Sequence, residues 1–223
     1  PGLLSGARNP KILAGAPGFI DASAQVEVIE VPTSVSRSQG DVHPFGNPHY
    51  WLDPANGAGI ARAIRDGLKR ASPANAAQFD QRCTDFENRL ALAIVRWKQQ
   101  AKSMGLQGMK VVTYHRSWPN FMERFGLDVM GYIEPKPGIP PSPSHTLELI
   151  ADMKRQGVKL IVFEPYFDEK TPHSIASQVG GILLKLAPSV GGGATPKDAT
   201  DYIQLFEYDV TMLAAALKQV TGK

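Results

Sequence analysis

Histidine supplies a neutral ring nitrogen that can bind a metal ion or move a proton near neutral pH. Five occur here: His43, His49, His115, His145 and His173. A lone histidine is more often a surface or satisfied core residue than a ligand, so position has to sort them. His115 directly follows the apolar run Lys110-Val111-Val112-Thr113-Tyr114, which reads as a strand. It therefore stands at the carboxyl edge of a strand, where sheets of this kind bind ligands. His49 lies in Asn47-Pro48-His49-Tyr50-Trp51-Leu52-Asp53-Pro54. Two prolines and a tryptophan stiffen that turn, which suits a ligand and equally suits an ordinary helix entry. His43 is close by in Asp41-Val42-His43-Pro44, whereas His145 and His173 fall in first helical turns and read as solvated. The single cysteine, Cys83, excludes an internal disulfide and a cysteine-rich metal knuckle. Neither His-Glu-x-x-His nor a nucleophile elbow occurs, which argues against a hydrolytic zinc or serine enzyme.

These residues need a scaffold, and the pattern divides the chain into three. Residues 1–72 mix turns with short apolar runs. Lys11-Ile12-Leu13-Ala14 and Val26-Glu27-Val28-Ile29-Glu30-Val31 read as strands, and a helix is predicted from Ala55 to Ala71 with Asp53 as its cap. In residues 73–104, Phe79, Cys83, Phe86, Leu90, Ile94, Trp97, Ala101 and Met104 recur at steps of three and four. That spacing predicts one unbroken amphipathic helix, about 45 Å long, with Trp97 buried, acting as a strut between two lobes. Residues 105–223 alternate strand and helix: strands at 110–114, 129–133, 160–163 and 182–186, helices at 119–125, 144–156, from Thr171-Pro172 to Val179, and 202–219. Leu147, Ile150 and Ala151 are expected on the inward face of the second of these helices. The rhythm predicts an α/β fold with a parallel sheet covered by helices on both faces.

At this point the residues meet a known pattern. Asn47-Pro-His-Tyr-Trp-Leu-Asp-Pro54 resembles the Asp-Pro-His-x-Trp-Leu-Asp-Pro signature of the metal-binding solute-binding proteins of zinc/manganese ABC importers, the cluster A-I family. The long helix, Val111 to Phe121 (Val-Val-Thr-Tyr-His-Arg-Ser-Trp-Pro-Asn-Phe), Glu134-Pro135, Leu160 to Glu164 and Tyr202 to Val210 follow in that family's order. The resemblance implies two α/β lobes with parallel sheets, joined by the rigid helix, and one divalent metal ion in the cleft between them. It implies His49 and His115 as ligands and a carboxylate near the start of the last helix, Asp201 in preference to Asp198. Glu164, at a strand end, and His43 rank behind them. Two imidazoles and a carboxylate favour Zn²⁺, with Mn²⁺ as the alternative. The implied role is capture of the ion at the periplasmic or extracellular face and delivery to a membrane ABC permease, by a monomer that is not an enzyme. The rival readings are a metal-dependent enzyme and a two-lobed binder of a metal chelate or haem. In this sequence Asn47 replaces the signature's aspartate, and no His-rich acidic loop precedes the motif. The family has a further first-lobe histidine upstream of Pro1, so the resemblance also implies a missing N-terminal segment and weaker zinc binding. Ordinary imidazoles protonate near pH ~6.5, so binding is expected to fade through that pH.

Composition adds exclusions. A formal charge of +3 with scattered Lys and Arg gives no basic stripe for nucleic acid. No apolar stretch approaches the ~20 residues that a membrane-spanning helix needs.

Overall fold

The computed structural model describes residues 2–34, 36, 40, 43–191 and 199–222. Its centre is a parallel sheet of β1 (Met109–Thr113), β2 (Leu127–Tyr132), β3 (Leu160–Phe163) and β4 (Ile182–Lys185), in the order β2-β1-β3-β4. Ahead of it run α1 (Gly2–Gly6), α2 (Asn56–Ala71) and α3 (Ala76–Ser103). Helices α4 (Pro119–Phe125), α5 (Pro143–Gln156) and α6 (Lys170–Val179) connect the strands, and α7 (Tyr202–Thr221) follows β4.

Successive side chains of a strand point to opposite faces, and here both faces are buried. Val111, Leu160, Val162 and Leu184 enter one core with Trp97 of α3, Phe121 of α4 and Phe206 of α7. Val112 and Ile161 enter a second core with Ile150 and Met153 of α5 and Ile175 of α6. Double burial is why these strands are continuous apolar runs rather than alternating ones. Two helices stop where the sequence says: Gly126 after α4 (φ 80°) and Gly157 after α5 (φ 68°) take left-handed conformations that a side chain would strain.

The long helix is unbroken over 28 residues. Trp97 is 0% exposed, and its ring nitrogen donates to Glu207 of α7 at 2.8 Å. Helix α3 packs against both α2 and α7.

Several expectations require correction. Lys11–Ala14 is not a strand: Pro10–Ile12 is a 3₁₀ turn whose entry is capped by the Asn9 side chain, which accepts from the Lys11 N–H at 3.0 Å. Val26–Val31 forms no strand among the described residues either. A ladder needs a neighbour, and here the Val26 N–H turns back to the Ser23 carbonyl at 3.1 Å while the Asn47 N–H donates to the Ile29 carbonyl at 2.8 Å. Helix α2 begins at Asn56, with Ala55 at its entry and no side-chain cap. Asp53 instead closes the preceding turn, its carboxylate accepting from the Ala55 N–H at 2.8 Å. In α5 the inward residues are Leu149, Ile150 and Met153, whereas Leu147 is 65% exposed and Ala151 is exposed. The last strand closes at Lys185, and Leu186 passes into the loop.

One core group is out of place chemically. Asp209 of α7 is fully buried; one oxygen accepts from the Ala187 N–H at 3.4 Å and the other has no partner. Burial raises its pKa well above the usual carboxylate range, with the Ala187 N–H opposing the rise. The folded chain thus holds a proton that the unfolded chain releases, and stability is lost as pH rises above ~3.9 towards the folded value. Asp209→Asn should therefore stabilise the fold by about 1–3 kcal/mol at pH 8, the cost of a buried unsatisfied group, and by less at pH 4. Urea midpoints at the two pH values test this; an equal change at both would show that ionisation of Asp209 is not the cause.

Candidate metal centre

Just beyond the carboxyl ends of β2, β1 and β3 stand Glu134, His115 and Glu164, side by side because of the strand order. This is the edge at which open α/β sheets bind ligands. The backbone around His115 is fixed. The Thr113 hydroxyl donates to the His115 carbonyl at 2.8 Å, and the Glu134 N–H donates to the Tyr114 carbonyl at 2.9 Å. His115 Nδ1 pairs with Oε2 of Glu134, whose other oxygen accepts from the Gly138 N–H at 2.9 Å.

His49 comes from the turn before α2. Its N–H and its Nδ1 both meet Oδ1 of Asn47, each at 2.9 Å. The orientation of that amide is settled by its other end, since Asn47 Nδ2 donates to Glu30 at 2.8 Å and to the Arg116 carbonyl at 2.9 Å. Asn47 Oδ1 is thus the acceptor, Nδ1 of His49 carries the proton, and Nε2 keeps a free lone pair. Asn47 does more than shape the turn: it selects the tautomer.

The two rings lie 5.6 Å apart, centroid to centroid, at 80°. Trp51 lies 5.4 Å from the His49 ring, and Phe167, stacked on Tyr114 at 4.2 Å, lies 5.9 Å from His115. His49 also lines an open cleft of about 470 Å³, shared with His43, Glu30, Arg116 and Lys136. Burial lowers the His49 pKa from 6.5 to about 4, with positive charge at His115 and His43 contributing. A ring held neutral is a ring ready to donate nitrogen.

Of the other candidates, Glu164 stands at this same edge, whereas Asp201 serves its own helix. Asp201 is exposed and caps α7 in a reciprocal capping box: its carboxylate accepts from the Gln204 N–H at 2.8 Å, and Gln204 accepts from the Asp201 N–H at 3.1 Å. Asp198 lies outside the described residues. Glu164 is 0% exposed and neither carboxylate oxygen has a hydrogen-bond partner. Burial raises its pKa; the nearby Ser117 hydroxyl and the Glu164 N–H oppose the rise most, then His115, while Glu134 adds to it. His43 is exposed, and Trp118 is buried in the core. His145 is half-buried, its Nε2 bonded to the Tyr132 carbonyl at 2.9 Å, while His173 is exposed. Among the described residues, no group of three or more His, Cys, Asp or Glu is arranged to hold a metal ion. The residues missed from sequence are Glu134 and Asn47 as partners of the two rings. Glu134 stands two residues past a strand just as His115 does, but no local signal says that the two strands are neighbours.

A family model described as zinc-uptake complex component A, periplasmic, matches residues 8–216. The high-affinity zinc uptake system protein ZnuA of Brucella suis is 26% identical over 175 residues, covering 78% of this chain and 50% of the relative. This chain thus spans about half the length of that curated relative. Among solved structures, a mutant of the laminin-binding adhesin of Streptococcus agalactiae superposes with a TM-score of 0.73 at 23% identity, covering 89% of this chain and 70% of the other. The manganese-bound periplasmic metal-binding protein of Candidatus Liberibacter asiaticus gives 0.70 at 19% identity, covering 89% and 70%. The likeness to both is one of fold. With nearly its whole length matched by the family model, the chain belongs to the family of the periplasmic zinc-uptake component A.

Proposed function

We propose that this chain captures a divalent metal ion, Zn²⁺ in preference to Mn²⁺, through His49 and His115, outside the cytoplasm, for delivery to a membrane ABC permease. One observation carries the reading. Two imidazoles lie 5.6 Å apart, and each has its Nδ1 engaged by a fixed neighbour, which leaves both Nε2 atoms for an ion. A second sphere of this kind fixes ring orientation and raises ligand basicity. Neutral nitrogen donors suit zinc better than manganese, which favours oxygen. Family membership supports cargo binding over catalysis. Among the described residues no helix is long and apolar enough to cross a membrane.

The test is metal analysis after exposure of the purified chain to equimolar Zn²⁺ and Mn²⁺, followed by desalting. About one equivalent of zinc should be retained and manganese lost, and His49→Ala should release the zinc. Retention unaffected by that substitution would overturn the assignment.

A further inference from the structure

The turn that carries His49 is fastened to the second half of the chain. Leu52 is 0% exposed, in the core that holds Trp118 and Phe121. The Trp51 ring nitrogen donates to the Pro188 carbonyl at 2.7 Å, and the Tyr202 hydroxyl donates to the Trp51 carbonyl at 2.6 Å. The tie with the most directional chemistry is ionic. Arg124 Nε and Nη2 donate to the two oxygens of Asp53 at 2.6 and 2.5 Å, a fork-to-fork pair with both side chains largely out of solvent.

Its placement gives it leverage. Asp53 ends the 3₁₀ turn Tyr50–Leu52, only four residues after His49. Arg124 belongs to α4, whose first residue, Pro119, is four residues after His115. One short helix is thus joined covalently to one imidazole and by a charge-assisted fork to the other. From this geometry we propose that Arg124 is a positioning residue of the metal site, fixing how far His49 stands from His115. It rests on the metal-binding reading above. Zinc–nitrogen bonds are held to about 2.0–2.1 Å, so a drift of the turn by a fraction of an ångström detunes the donor pair. A lysine at the position keeps the charge and loses the fork.

Two measurements test the proposal on Arg124→Ala and Arg124→Lys, with Lys69→Ala as control. Lys69 pairs with Asp80 at 2.7 Å between α2 and α3, so its loss removes an ion pair that lies outside the site. The first measurement is the imidazole ¹H–¹⁵N correlation spectrum of the metal-free chain at pH 7.5. Arg124→Ala should move the His49 resonances and leave those of His173 in place. The second is Co²⁺ titration followed by visible d–d absorption. Arg124→Ala should weaken affinity about 10–100-fold, the range for lost outer-shell support, and alter the band shape; Arg124→Lys should fall between. Unmoved His49 resonances, or equal changes in Lys69→Ala, would overturn the proposal. If His49 moves but even the unsubstituted chain yields no Co²⁺ bands, the metal reading fails while the positioning of His49 by Arg124 stands.

Discussion

Replacing His115 with alanine should weaken zinc binding by about 100-fold or more, and replacing Glu134 with glutamine by about 10–100-fold. The first figure follows from dividing the ~10–16 kcal/mol of a structural zinc site among four donors, about 3 kcal/mol each. The second is the usual effect of losing an outer-shell partner of a ligating histidine. Gln at position 134 keeps an acceptor but removes the negative charge that makes the imidazole a stronger donor. Because Glu134 also accepts the Gly138 N–H, part of its loss will appear as loosening of the loop after β2. Competition against a chromophoric chelator at pH 7, with thermal melts alongside, separates binding from folding. His173→Ala, an exposed change on α6, should leave affinity unaltered. An affinity for His115→Ala within twofold of the parent would remove the carboxyl edge of β1 from the site altogether.

The two halves of this molecule differ in how much of themselves they announce. Strand β3 (Leu160–Phe163) and helix α4 (Pro119–Phe125) fall on their predicted bounds, because a fully buried run and a Pro-to-Gly segment are local signals. The first 48 residues behave otherwise. Val26–Val31 has the composition of a strand, but a strand is a relation between segments, and the described residues supply no partner for it. In α5 the periodicity admits two nearby faces; the side against the sheet takes Leu149 and Met153 and leaves Leu147 outside.

The site shows the same division. His49 and His115 are legible because each stands where a stiff local element ends. Glu134 is not, because its meeting with His115 depends on β1 lying beside β2, which no local pattern states. At the start of a helix, a carboxylate such as Asp201 can serve as a ligand or as a cap. Gln204 three residues on is the capping-box spacing, and the structure places both side chains in that box.

The pH dependence should come from His49 and should be displaced to acid. An imidazole of ordinary pKa in both states would leave stability independent of pH and make only metal binding decline around pH ~6.5. Burial, with the positive charge that His115 and His43 would add, lowers the His49 value to about 4. On acidification the unfolded chain takes up its proton first. The stability owed to the neutral ring is therefore intact above pH 6.5, falls as the pH drops from 6.5 to about 4, and changes no further below. Since the ring retains some solvent access, screening trims the total to about 1–2 kcal/mol. His49→Gln, which cannot titrate, should flatten that part of the profile in urea unfolding of the metal-free chain. Zinc selects the unprotonated ring, so saturating zinc should raise the unfolding midpoint more at pH 7 than at pH 4. A direct imidazole titration by NMR decides the matter: a His49 midpoint near 4 fits the buried ring. A midpoint near 6.5 would mean that in solution His49 is solvated and the turn stands away from His115.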